Sequence, residues 1–280
     1  MSIRWFSSFR SRGTARSLAA LALIALALAG CGGGSGSSGD TSPSSQGTMQ
    51  TLGINSRLTG TAYTVNLYLP PASAGARKDL PVIYALDGES WYQTLIATVQ
   101  SAQLAVIVAA VQTSGQRARD FVPANTCTGS GGGNANYLDF IRQELIPMIE
   151  SSVGGDPAKR ILFGHSHGGS FVLYAMWAEA PARHSFKTYL ASDASLPCMP
   201  AAAAQWEQDY AAAYTALPVR LQISYATQGN YQANLDYAQV IARRRYTGLS
   251  LLDSPYSGSH TGIVPQVLAD GLAFALAGAP

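Results

Sequence analysis

The stretch Arg160–Ala175, RILFGHSHGGSFVLYA, constrains the fold more than any other part of the chain. A short apolar run, as expected of a strand, breaks at Gly164, and an amphipathic run, as expected of a helix, follows Gly168. At the break, G-H-S-H-G fits the G-x-S-x-G pattern of a nucleophile elbow. Ser166 must then sit on a very tight turn. Side chains at Gly164 and Gly168 would strike the strand before it or the helix after it. Five such letters often arise by chance, so their weight depends on whether the rest of the chain supplies a partner for the serine.

The flanking pattern is that of an α/β protein. Strands are expected at Leu52–Leu58, Ala62–Leu69, Leu80–Leu86, Leu104–Val111, Phe186–Leu190, Val219–Tyr225 and Leu249–Leu252, besides the elbow strand. The runs at 80–86 and 104–111 are apolar throughout, as in strands buried on both faces of a sheet. Helices are expected at about 92–100, 135–152, 232–245 and 263–276, besides the elbow helix. Strands alternating with helices predict a mostly parallel central sheet with helices on both faces. Residues 112–134 show little regular pattern, and a segment that long in a compact domain suggests function or disorder.

The N-terminus carries Arg4, Arg10, Arg12 and Arg16 and no acid, followed by an apolar run from Leu18 to Ala29. That run is short for a bilayer span and reads as the core of a signal peptide over 1–30. Leu28-Ala29-Gly30-Cys31 resembles a bacterial lipobox, so Cys31 is expected to be lipidated. Residues 31–50 then form a flexible Gly/Ser linker and 51–280 one domain. The expected location is the cell envelope, on the outer membrane facing the periplasm. The four arginines hold the chain's net positive charge. Beyond residue 30 there are 14 basic and 16 acidic groups, a net −2, so nothing favours nucleic acid. Export favours a disulfide between the two remaining cysteines, Cys127 and Cys198. No Cys/His cluster has metal-ligand spacing, and neither metal nor cofactor is expected.

Four histidines lie beyond the signal peptide. His165 and His167 flank the serine and must point away from its hydroxyl. His184 follows the elbow helix, at the far end of the sheet. His260, between the last strand and the last helix, is left as the base, and the order Ser…His is that of α/β-hydrolases. The loop after the strand before last, Tyr225–Asn230, is where an acid is commonly found, and it has no carboxylate. Asp236, Asp253 and Asp193 are the candidates, with Asp236 preferred. A Ser–His dyad oriented by Gln228, Asn230 or a backbone carbonyl is equally open. The N–H groups of His167 and Glu89 are expected to form the oxyanion hole.

Leu86-Asp87-Gly88-Glu89-Ser90-Trp91, Arg117-Ala118-Arg119-Asp120-Phe121-Val122-Pro123, Gly131–Gly133 leading to Glu144–Pro147, the GHSHGG elbow and Ser259-His260 together resemble the Putative esterase family of α/β-hydrolases. The likeness is greatest to its ferric-siderophore (enterobactin-type) branch, and it implies a cofactor-free serine esterase. The substrate would be a small-molecule carboxylic ester, in that branch a siderophore trilactone. Where relatives often carry Gly-x-x-Glu after the seventh strand, this chain has Ala226-Thr227-Gln228. Arg117 and Arg119 could hold an anionic substrate, or could form a structural pair in which one bridges Asp120. The other readings are a small-ester or acetyl esterase and a catalytically weakened binding lipoprotein.

Overall fold

The computed structural model describes residues 47–73, 75–124, 126–127 and 129–277. The expected signal peptide, Cys31 and most of the expected linker lie outside them. One eight-stranded sheet runs through the domain in the order β1-β2-β4-β3-β5-β6-β7-β8. Its strands are β1 (Thr48–Asn55), β2 (Ala62–Leu69), β3 (Val82–Ala85), β4 (Ile107–Val111), β5 (Arg160–His165), β6 (Thr188–Ser192), β7 (Arg220–Gln228) and β8 (Ser250–Ser259). The β1–β2 and β2–β4 pairs are antiparallel and every other pair is parallel. The loops that leave β3 to β8 therefore open at one edge of the sheet, the carboxyl edge, where open α/β sheets hold their ligands.

The helices are α1 (Gly88–Ser101), α2 (Arg117–Phe121), α3 (Asn134–Phe140), α4 (Ile146–Val153), α5 (His167–Trp177), α6 (Pro200–Ala213), α7 (Tyr231–Arg244) and α8 (Val264–Leu276). Leu95 and Val99 of α1 pack with Val267 and Leu268 of α8 on one face of the sheet. Phe121, Phe140, Phe171, Tyr210 and Ile241 bring α2, α3, α5, α6 and α7 onto the other. β3 and β4 are buried along their whole length, as their unbroken apolar runs require. In α5 only His167 and Tyr174 escape burial, because sheet and neighbouring helices enclose it on all sides.

Several boundaries differ from expectation. β1 begins at Thr48, so the last residues of the expected linker belong to the sheet. β8 continues to Ser259, well past Leu252, and the extra length brings the chain directly to His260. A helix, α6, occupies a stretch that promised only proline and alanine: Pro200 starts it at a position where its missing N–H costs nothing, and the alanines after it are the best helix formers. Between α3 and α4 a π-turn over Ile141–Leu145 keeps the chain helical. It precedes Pro147, which has no N–H for the carbonyl one turn earlier. Cys127 and Cys198 form a disulfide across 71 residues of sequence. It ties the segment after β4 to the loop after β6.

Candidate active site

Ser166 stands between β5 and α5 with φ 60° and ψ −119°. A non-glycine residue in that region stores roughly 1–3 kcal/mol of backbone strain, which the packing around it must hold. The glycines make the turn possible. A Cβ at Gly164 would lie 2.3 Å from the Gly168 carbonyl oxygen, and one at Gly169 2.8 Å from the Ser192 carbonyl oxygen. At Gly168 the constraint is milder, 3.2 Å to Asp87 Oδ2. The Ser166 N–H donates to the Ser192 carbonyl (2.9 Å), which fixes the turn to the end of β6. Its hydroxyl lies 3.0 Å from the Ser195 hydroxyl, and the Ser195 N–H donates to the Ser166 carbonyl (3.1 Å). Ser195 has no motif to mark it in the sequence.

The loop after β8 carries His260, whose Nδ1 lies 2.5 Å from Asp193 Oδ2. Asp193 is wholly buried, whereas the His260 side chain is 34% exposed. Asp193 thus replaces Asp236 as the partner of the histidine. Asp236 is an exposed residue of α7 that accepts from Gln232 one turn away, and Asp253 is an exposed residue of β8 beside Tyr225. The carboxylate comes from the strand next to the elbow, one strand earlier than the expected loop. That expected loop still contributes: the Asn230 N–H donates to Asp193 Oδ1 (3.0 Å) and Asn230 Nδ2 donates to the Asp193 carbonyl (3.0 Å). Gly229 makes room, since a Cβ there would fall 2.0 Å from Asp193 Oδ2. Asn230 therefore orients the histidine through the acid rather than directly. Gln228 is exposed at the end of β7.

Beneath His260 lies His165, with ring centroids 4.4 Å apart, and Trp91 meets His165 edge-on at 5.1 Å. Nδ1 of His165 lies 3.0 Å from the Ser192 hydroxyl. Burial, with smaller contributions from His260 and Arg117, pushes the His165 pKa down to about 3, so this ring is neutral at any ordinary pH. Burial, with Arg117 and His260, also lowers that of His167. The His165 ring beside the serine thus supplies bulk without competing positive charge.

Glu89 and His167 occupy the first turns of α1 and α5, where backbone N–H groups lack intrahelical acceptors. The two turns adjoin, because the Cβ position of Gly168 lies 3.6 Å from Leu86 Cβ. The Glu89 carboxylate is turned aside onto the N–H and hydroxyl of Thr113, the latter a short contact. Asp87, in the left-handed region at φ 53°, stands just before α1 and receives Arg117 in a bidentate pair at 2.6 and 3.0 Å. The same guanidinium donates to the His165 carbonyl (3.1 Å) and so clamps the α1 turn to the elbow. Arg119 bridges Asp120 and donates to Thr61 and Tyr63. Both arginines are thus engaged in internal ion pairs, as the structural reading expects, while about a third of each side chain stays exposed. Among the described residues no group of three His, Cys, Asp or Glu could hold a metal ion.

Strand order, the strained serine after β5 and the histidine after β8 define an α/β-hydrolase fold. The family model described as Putative esterase matches residues 56–247, and the chain belongs to that family. It is 32% identical over 152 residues to the ferri-bacillibactin esterase BesA of Bacillus subtilis, covering 45% of this chain and 50% of that one. It is 29% identical over 136 residues to the siderophore triacetylfusarinine C esterase of Aspergillus fumigatus, covering 43% and 46%. The chain thus spans about half the length of the curated relatives it matches. Among solved structures, the BES protein from Bacillus cereus superposes with a TM-score of 0.72 at 23% identity, covering 81% of this chain and 94% of that one. That likeness concerns the fold.

Proposed function

We propose that this protein is a serine esterase acting through an acyl-enzyme. The hydroxyl of Ser166 turns from Ser195 toward His260 and attacks the ester carbonyl carbon while the imidazole takes its proton. Asp193 holds the imidazole by Nδ1 and stabilises the imidazolium that forms. The tetrahedral oxyanion is met by the N–H groups of Glu89 and His167. On collapse, the C–O bond to the alcohol breaks and the alcohol takes the proton from His260. Water then attacks the acyl-enzyme, giving its proton to His260, and Ser166 leaves with that proton restored. The observation that carries this reading is the 2.5 Å contact between His260 and the buried Asp193, at the same end of the sheet as the strained serine. The readings of a weakened hydrolase or an acid-free dyad drew on a missing carboxylate, and Asp193 removes that motive. Fluorophosphonate labelling tests the proposal: wild type should react and Ser166→Ala should not. Equal labelling of the two would sink it.

The substrate class proposed is a siderophore ester, supported by the named activities of two relatives. A small acetyl ester is the competing substrate, and a ferric trilactone should displace p-nitrophenyl acetate as a competitive substrate if the siderophore reading holds. The lipobox-like sequence at Cys31 supports anchoring to the envelope membrane, with export also supported by the disulfide. Cys31→Ser should release the protein from the membrane fraction. Retention there would count against the anchor.

A further inference from the structure

We infer that the amino edge of the sheet, opposite the active site, is a docking face for the anionic headgroups of a phospholipid membrane. The inference rests on the anchored reading for its orientation. The chain enters the domain at this edge: Thr48 pairs with Leu69, and Tyr68 pairs with Val108 near the start of β4. Ser166, Asp193 and His260 leave β5, β6 and β8 at the other edge. A tether reaching Thr48 from a membrane would therefore join the domain at the amino edge, the side away from the catalytic loops.

The chemistry of that edge suits such a surface. A cleft of about 440 Å³ opens between the starts of β5, β6 and β7 and the end of α8. Lys159, Lys187 and Arg220 line it, against an apolar wall that includes Ile161 and Leu276. Asp156 is the single acid in the lining, and it is taken by Lys159 (3.0 Å) and the Ala158 N–H. Lys187 donates to the Pro218 carbonyl, and the Arg220 guanidinium rests 4.4 Å over the Phe274 ring. Among the described residues neither has a carboxylate partner, and the same holds for Arg243 and Arg245 ahead of β8. The chain beyond residue 30 carries a net −2, so unpaired cations gathered at one edge reflect a polar distribution of charge rather than a basic protein. Cations over a cleft with an apolar wall fit a phosphate whose acyl chains lie alongside.

Vesicle co-sedimentation tests this on a chain beginning at Gly32, which has no lipid anchor yet holds every strand and helix between Thr48 and Leu276. It should sediment with phosphatidylglycerol vesicles and not with phosphatidylcholine vesicles, and less as salt rises. Lys187→Gln with Arg220→Gln should weaken partitioning by about fivefold per cation. Hydrolysis of p-nitrophenyl acetate should not change, while Lys187→Arg with Arg220→Lys should bind as wild type. Equal binding to both lipids, none to phosphatidylglycerol, or full binding by the Gln pair overturns the inference. If the Gln pair also loses hydrolysis, wild-type salt dependence decides, and binding indifferent to salt overturns it. Failure here leaves the esterase reading intact, which labelling of Ser166 tests, and the anchor, which Cys31→Ser tests.

Discussion

At the scale of single residues, the acid separates the competing accounts most sharply. Asp193→Asn should keep the geometry but favour the wrong tautomer of His260, lowering kcat by about 10³–10⁴-fold. Asp236→Asn should leave kcat unchanged within about twofold, since its carboxylate meets only a neighbour on the helix surface. Steady-state kinetics on the pair distinguishes them. Gly229→Ala supplies an independent check: its Cβ would displace the Asp193 carboxylate, and kcat should fall by about 10–100-fold. His165 gives the pH signature. Its pKa is about 3 folded and near 6.5 unfolded, so between those values unfolding takes up a proton and stability falls as pH falls. The full slope is about 1.4 kcal/mol per pH unit. Urea titrations across this window should show it, and His165→Phe should reduce it, leaving the contribution of His167.

At the scale of elements, the elbow was legible because its chemistry is local. Gly164 is obligatory in the structure for the steric reason the five-letter pattern implies. The acid could be narrowed to three candidates, Asp193 among them, but not chosen, because the contact between Asp193 and His260 spans 67 residues and depends on which strands are neighbours. The expectation that the acid follows β7 assumed a conventional arrangement, whereas the β7 loop offers a glycine and a backbone N–H. The partners of the arginines were only half legible for a similar reason. A pair of cations near a glycine-rich loop suggests an anion; Asp120 is a sequence neighbour and could be named as a partner, whereas the pairing with Asp87 needs the tertiary structure. The disulfide was legible from the expected export and the count of cysteines. It joins the segment after β4 to the short turn that follows Asp193 and Ser195. Replacing both cysteines by alanine should cost roughly 2–4 kcal/mol in urea unfolding and should raise the sensitivity of kcat to denaturant.

At the scale of the molecule, fold class was readable from alternation alone, since buried parallel strands leave apolar runs and covering helices leave amphipathic ones. The helix α6 was not, because alanines with scattered polar residues have no stripe to detect. The catalytic groups are also unequal in how the sheet holds them. Ser166 and Asp193 leave adjacent strands and are joined through the Ser192 carbonyl and the Ser195 N–H, so they belong to one rigid body. His260 arrives separately, on a loop beyond the outermost strand, and meets the acid through its side chain. Moderate denaturant should therefore detach the edge before the centre. Activity should disappear at a lower urea concentration than far-UV ellipticity, and dilution should restore it within the dead time of mixing. Inactivation in this protein would then be a loosening of one strand, reversible and fast, with the nucleophile still standing in its strained turn.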